Sequence, residues 1–303
     1  METRKRILIT GGTGYLGSRL ARDLADKHDV TILGRRDTCF DSLHIKKICK
    51  DLCELTPEEV SEFEVIFHLA ALFPNNCKLS PAEIFSQNLA ATHHLLNLIE
   101  KQNHPVKLIF SSSAGVYGRG SKKFSEKSHT NPGELYFCSK SCCEQLIRTY
   151  AYKNPDLKPL IFRISNLYGP EQKQIAVITE TIKKILFCSS KNNAPLVVKN
   201  GSAARDFLYV DDCIKALIFG LEKDLAGTYN LGTGKGTKIS ALVSIMVRIS
   251  KKEIPLIIED DTSDINILNI TKLKKEGWNP QTSLIKGLKQ TYNQALISFS
   301  SPS

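Results

Sequence analysis

The sequence has no Cys-x-x-Cys pair, a single tryptophan and two methionines among its 303 residues. It has no internal repeat, no low-complexity tract and no uninterrupted apolar run near the roughly 18 residues that a membrane-spanning helix needs. Behind the basic start, Met1 to Arg6, the apolar stretch is only about four residues long, too short for the core of a secretory signal. These absences set aside membrane proteins and secreted disulfide scaffolds, and a cytoplasmic protein without membrane partners is expected. The nine cysteines, 39, 49, 53, 77, 138, 142, 143, 188 and 213, are odd in number. Zinc usually takes closely paired Cys or His ligands, so no metal is expected and the thiols read as reduced. The formal net charge is +10, but lysine and arginine are scattered and no aromatic-basic module interleaves them. Nucleic acid is therefore not an expected partner; an anionic small ligand or a solvated basic surface explains the charge.

A hydrophobic content of 42% over this length is enough for one large or two unequal domains. Strand-like runs at Arg6–Thr10, Asp29–Gly34, Val65–Leu69, Val106–Ser111 and Leu160–Ile164 show little alternation, as strands buried on both faces do. Helical periodicity lies between them at Tyr15–Lys27, Pro81–Gln102 and Glu134–Lys153. The alternation predicts an α/β fold, a doubly wound parallel sheet. Beyond Tyr168-Gly169-Pro170 the pattern loosens into helices at Gln174–Phe187, Asp212–Leu221, Ile239–Ser250 and Ser283–Ile297, with a short strand at Leu196–Lys199. This predicts a first domain over 1–166 and a smaller substrate-side lobe over 167–303, with segments near 205–232 returning to the first.

The first strand runs directly into Ile9-Thr10-Gly11-Gly12-Thr13-Gly14-Tyr15-Leu16-Gly17. Glycines at 11, 14 and 17, between a strand and a helix, are the arrangement in which backbone can approach a pyrophosphate at a helix N-terminus. The second strand ends in Gly34-Arg35-Arg36, where an NAD site would carry a carboxylate for the ribose 2′-hydroxyl. Guanidinium groups there favour the 2′-phosphate of NADP(H); Asp37 follows, so NAD(H) stays open. Read as two solvated arginines, the pair would leave the preference unset.

Tyr136 and Lys140, four residues apart, share a helix face. An ammonium beside a phenol stabilises phenolate and makes the tyrosine a usable general acid or base. Ser111, Ser112 and Ser113 end a predicted strand, and the carboxyl ends of strands in such a sheet are where ligands sit. A bland reading of these serines is a polar turn.

With these residues in place the chain resembles the extended short-chain dehydrogenase/reductases, in particular their nucleotide-sugar epimerases, dehydratases and reductases. Residues 10 to 17 resemble the family's TGxxGxxG. Asp51-Leu52 resembles its adenine-contacting pair, His68-Leu69-Ala70-Ala71 its HxAA loop, and Asn88 its helix asparagine. Ser113, Tyr136 and Lys140 fall on its catalytic set. Phe162–Pro170, Arg205–Asp212, Tyr229–Gly234 and Gly277–Pro280 resemble its C-terminal signatures.

The resemblance implies a Rossmann fold. It implies cofactor contacts from Gly11, Gly14, Tyr15, Leu16, Gly17, Arg35, Arg36, Asp51, Leu52, Leu69, Ala70, Ala71, Asn88, Ser111, Tyr136 and Lys140. Ser113, Asn166 and Arg205 would touch a nucleoside-diphosphate sugar, and helices near 85–102 and 136–152 would pair two copies as a homodimer. Dehydratases of the family carry Asp-Glu where Ala114 and Gly115 stand, which speaks against that reaction; the fucose-synthase type carries a cysteine at Gly115. A second diphosphate-binding arginine is missing near Glu259-Asp260-Asp261. The expectation is an NADPH-dependent 4-ketoreductase acting at sugar C4. The alternatives are a 4-epimerase with bound NAD and a non-catalytic cofactor sensor, which would have no use for the proton relay.

Overall fold

The computed structural model describes residues 4–36, 44–74, 78–173, 176–188, 195–260 and 263–300. Cys39, Cys77, Asp37, Asp261 and the first residues of the helix expected from Gln174 lie outside them.

In chain order the first half runs β1 (Arg6–Thr10), α1 (Tyr15–Ala25), β2 (Asp29–Leu33), β3 (Lys46–Ile48), α2 (Pro57–Val60), β4 (Val65–His68), α3 (Pro81–Glu100), β5 (Val106–Ser113), α4 (Leu135–Lys153) and β6 (Leu157–Ile164). The remainder runs β7 (Asn166–Tyr168), α5 (Val177–Phe187), β8 (Leu196–Lys199), β9 (Ala204–Arg205), β10 (Phe207–Tyr209), α6 (Val210–Glu222), β11 (Gly227–Leu231), β12 (Thr237–Lys238), α7 (Ile239–Ser250), β13 (Leu256–Glu259), β14 (Ile265–Asn266), α8 (Thr271–Lys275) and α9 (Leu284–Ser300). The expected long elements are present with ends shifted by a few residues. The strands of two or three residues were not expected, because such lengths show no alternation.

Two compact units divide the chain. The first holds Met1–Val116, Pro132–Arg163 and Ile214–Tyr229; the second holds Tyr117–Asn131, Ile164–Cys213 and Asn230–Ser303. Relative to the expected cut at 166, residues 117–131 fall in the second unit and 214–229 in the first.

The main sheet has seven strands in the order β11-β6-β5-β4-β1-β2-β3. β1 pairs in parallel with both β2 and β4, and β2–β3 and β4–β5 are parallel too. Strand order reverses between β1 and β4, which opens a crevice at their carboxyl ends. β1 is apolar along Ile7, Leu8 and Ile9, all fully buried, so it must lie in mid-sheet with both faces covered. One cluster of the first unit packs Leu8, Leu52, Ile66, Leu95, Leu108, Phe110 and Ile147. α3 begins cleanly because Ser80 and Glu83 exchange hydrogen bonds in a capping box and Pro81 occupies its first turn, an arrangement that satisfies otherwise orphaned N–H groups.

The second unit has its own core, in which Tyr168, Ile182, Ile185, Tyr209, Leu242 and Leu288 are buried together. Its sheets are small: β10 with β7, β9 between β12 and β14, and β13 with β8. Among the described residues no helix is long and apolar enough to cross a membrane.

Candidate active site

The crevice between β1 and β4 is fixed by a small polar knot. Thr10 Oγ1 lies 2.8 Å from His68 Nδ1 and accepts from the Ala70 backbone N–H at 3.2 Å. His68 Nε2 lies 3.0 Å from Thr92 Oγ1. The imidazole is 1% exposed; burial, then the nearby Lys140 charge, lowers its pKa to about 3. It is a neutral structural bridge between strand ends.

The glycine turn sits on that knot. Gly11 has φ +70°, and a Cβ there would stand 2.8 Å from the Ala70 nitrogen, so only glycine fits where the turn passes the β4 loop. A Cβ on Gly17 would meet the Gly11 carbonyl oxygen at 2.3 Å, so the start of α1 packs directly on the turn. Gly14 is different: a Cβ would meet nothing within 4 Å but the turn's own Gly11 oxygen. Space there faces outward. Gly14 is the N-cap of α1, with no side-chain cap and no acidic residue in the first turn. Uncapped N–H groups and the positive end of the helix dipole suit a pyrophosphate, so these residues fit a dinucleotide. Tyr15 and Leu16 are half-buried in that first turn, where Arg19 lies 4.4 Å over the Tyr15 ring.

The other expected cofactor residues separate into two groups. Leu69 and Ala70 are half-buried and Ala71 exposed beside the turn. Arg35 and Arg36 are exposed at the end of β2, and Arg35 Nη1 lies 3.9 Å from Asp51 Oδ2. Asp51 also accepts from the Cys53 N–H at 3.0 Å, capping a short 3-10 turn. By contrast, Leu52 is 6% exposed and belongs to the hydrophobic core. Asn88 turns its amide to backbone: Oδ1 accepts from Leu72 N at 2.7 Å and Nδ2 donates to Leu72 O at 3.0 Å. It clamps the loop after β4.

The three serines of β5 have three different fates. Ser111 donates to His68 O at 3.3 Å. Ser112 is buried and donates to Glu144 at 2.6 Å. Ser113 is half-buried, and its Oγ accepts from the Gly115 N–H at 3.1 Å.

α4 presents Tyr136 and Lys140. Lys140 is 3% exposed; its ammonium donates to Ser111 O at 2.8 Å and lies 4.7 Å from the centre of the Phe110 ring. Burial lowers it to about 8, while Cys143 and Glu144 oppose that shift. The sequence expectation was that this ammonium draws the phenol toward ionisation. The structure differs: burial, with a smaller contribution from Cys143, pushes Tyr136 above the ordinary tyrosine value. The phenyl rings of Phe73 and Phe137 lie 4.8 and 5.3 Å away, edge to face, and like Tyr136 itself they are half-buried. Neither phenylalanine belongs to a sequence motif, and neither was singled out beforehand.

One turn beyond Lys140, Glu144 accepts from Ser112, Arg148 and Arg163, the last through Nε at 2.9 Å and Nη2 at 2.6 Å. Burial raises its carboxyl, but the Arg163 bonds and charge outweigh burial and hold it below the usual range.

In the second unit, Asn166 is exposed and donates from Nδ2 to Asp206 O at 3.0 Å. Arg205 pairs with Asp264 at 3.0 Å and donates to the carbonyls of Ala204 and Asp264. Asp206, fully buried, accepts from Thr233 N, Thr233 Oγ1 and Gly234 N at 2.9, 2.6 and 2.9 Å, so the Arg205–Asp212 and Tyr229–Gly234 signatures meet in one clamp. Asp260 accepts from Ser202 N and Oγ at 2.6 and 2.8 Å, which gives it a structural partner.

Over residues 7–232 the sequence matches the model of the NAD dependent epimerase/dehydratase family. It is 31% identical to a putative UDP-glucose 4-epimerase of Methanocaldococcus jannaschii, over 95% of this chain and 97% of that protein. It is 30% identical to a dTDP-D-glucose 4,6-dehydratase of Dictyostelium discoideum over 76% of this chain; that match spans only 58% of the relative's length. Among solved structures, a UDP-glucuronic acid 4-epimerase from Bacillus cereus in complex with NAD aligns with a TM-score of 0.84 and 25% identity, over 97% of this chain and 100% of that one.

Proposed function

The chain belongs to the NAD-dependent epimerase/dehydratase family, and on that premise we propose that it is a nucleoside-diphosphate-sugar 4-epimerase working with tightly held NAD. The observation that carries the reading is the composition of the cluster at the end of β5. Ser113, Tyr136 and Lys140 are present, and Ala114 and Gly115, which cannot move protons, stand where the family's dehydratases carry Asp-Glu. A side chain at position 115 would require the Phe137 ring to move, because a Cβ there would stand 2.2 Å from that ring.

This favours the epimerase alternative over the ketoreductase first expected. The arginines that pointed to NADPH stand beside a carboxylate: Asp51, 3.9 Å from Arg35, would face a 2′-phosphate unfavourably and can accept from a 2′-hydroxyl. The relatives named as 4-epimerases, one of them solved with NAD, support the same choice.

When bound, NAD would supply the chemistry of hydride acceptance from sugar C4 and of hydride return to that carbon. Tyr136 takes the C4 hydroxyl proton and gives it back after the sugar has turned. Lys140, charged at neutral pH with its pKa near 8 and on the same helix face, supplies a cation that favours phenolate as the proton leaves. Ser113 Oγ, half-buried at the end of β5, hydrogen-bonds the sugar oxygen and orients it toward the phenol. The uncapped start of α1 holds the pyrophosphate.

The test is the nicotinamide species released when the purified protein is denatured. Near-stoichiometric NAD is expected. An empty site that then binds NADPH in preference to NAD would overturn the reading and support a reductase.

A further inference from the structure

Two phenylalanine rings with seats of their own meet the ring of Tyr136. Phe73 meets it edge-on, with centroids 4.8 Å apart and planes at 78°; Phe137 meets it at 5.3 Å and 65°. Such pairs have a preferred geometry and contribute about 0.5–1.5 kcal/mol beyond their buried area.

Phe73 lies in the loop after β4, next to Leu72. The Asn88 amide grips both backbone groups of Leu72 and also donates to Ser139 Oγ at 3.4 Å. Ser139 Oγ in turn donates to the Tyr136 carbonyl at 2.7 Å. One buried asparagine on α3 therefore ties the loop that carries Phe73 to the turn of α4 that carries Tyr136. Phe137 is seated against Gly115, where any side chain would collide with its ring. Gly115 in turn donates its N–H to Ser113 Oγ.

We infer that Phe73 and Phe137 are positioning residues for Tyr136, an aromatic bracket aimed by Asn88 and by the Gly115 socket. This inference rests on the reading of Tyr136 as the acid–base group. Two functions follow from the geometry. The bracket limits ring rotation, so the phenol oxygen is presented in one direction. It also keeps water off the phenol, so proton transfer is to the sugar and not to solvent. Misplacement by about 1 Å can cost a hundredfold in rate, and an edge-to-face contact with each ring resists such a shift. Phe73 from the β4 loop and Phe137 from its own helix contact the Tyr136 ring, and Cys143, two turns on, is the titratable group that acts on its phenol; the Lys140 ammonium is turned to Ser111 O and the Phe110 ring.

The experiment uses Phe73→Ala and Phe73→Tyr in the full-length protein, with two readouts. The first is ultraviolet difference titration against the corresponding Tyr136→Phe proteins, which isolates the Tyr136 phenol and needs no turnover. The wild-type phenol is expected to titrate above the ordinary value of about 10. Phe73→Ala should bring it down by about one pH unit as water enters, and Phe73→Tyr should leave it near wild type. The second readout is turnover of a UDP-hexose: kcat should fall about tenfold in Phe73→Ala with KM little changed, the pattern of a misaligned catalytic group, and recover in Phe73→Tyr. A Tyr136 titration that ignores Phe73→Ala overturns the bracket, and so does an unchanged kcat in an active enzyme. A wild-type protein that turns over no nucleoside-diphosphate sugar overturns the functional reading instead, while the titration still decides whether the bracket exists.

Discussion

Lys140 and Glu144 stand one turn apart on α4, and both are buried, at 3% and 1% exposure. Their surroundings are opposite. Glu144 receives two arginines and a serine hydroxyl, and these partners hold it charged below the usual carboxylate range despite burial. Lys140 receives one carbonyl oxygen and an aromatic face, and burial brings its pKa down to about 8. A buried charge with every partner in place is scaffold, while one left under-compensated can change its interactions during a reaction. One helix therefore carries a fixed ion network at its middle and an adjustable cation a turn earlier.

The comparison breaks most visibly at Glu144. Glu144→Ala leaves Arg163, 4% exposed, without its carboxylate, and removal of one partner from a buried pair costs about 3–5 kcal/mol. Urea unfolding should show a loss of that size; a loss below about 1 kcal/mol would place the network among weak surface pairs. Lys140→Met should act on rate instead, lowering kcat about a hundredfold, as expected for loss of support to a general acid–base group, with the fold retained. Its most diagnostic effect is on pH dependence. The native lysine loses its proton near pH 8 and the unfolded one near the ordinary 10.5, so between these values the unfolded state binds more protons and wild-type stability rises with pH. The cost of the buried charge is present in full below about pH 8. Lys140→Met should therefore lack that rise, and parallel stability curves for the two proteins between pH 8 and 10.5 would contradict the assignment.

What could be read in advance follows from distance along the chain. The glycine turn is legible because its strand, turn and helix are contiguous, and Tyr136 and Lys140 because α-helical spacing alone puts them on one face. The role of Asn88 was not legible: its partner Leu72 is 16 residues away on a loop, and an asparagine gives no periodic signal. The family resemblance separated Ser113 and Ser111 from Ser112, but the partner of Ser112, Glu144, lies 32 residues on and was not legible. The phenylalanines beside Tyr136 carried no signal in the sequence. Phe137 could have been noticed with Gly115, since a bulky ring and a missing side chain are complementary, but nothing in their spacing announces the contact. In the second unit, strands as short as Ala204–Arg205 and Ile265–Asn266 are set by pairing across long separations and leave no pattern. The pairing of Arg205 with Asp264 at 3.0 Å was not legible either, because the two residues lie far apart along the chain.

The claim on which the account depends is that a hydride leaves sugar C4 and returns to the same carbon while Tyr136 carries the proton. A UDP-hexose labelled with deuterium at C4 measures this directly. The account predicts a C4-epimeric product that retains the label at C4, with no net accumulation of reduced nicotinamide. Release of the label to exogenous cofactor, or a product that has lost water, would contradict it.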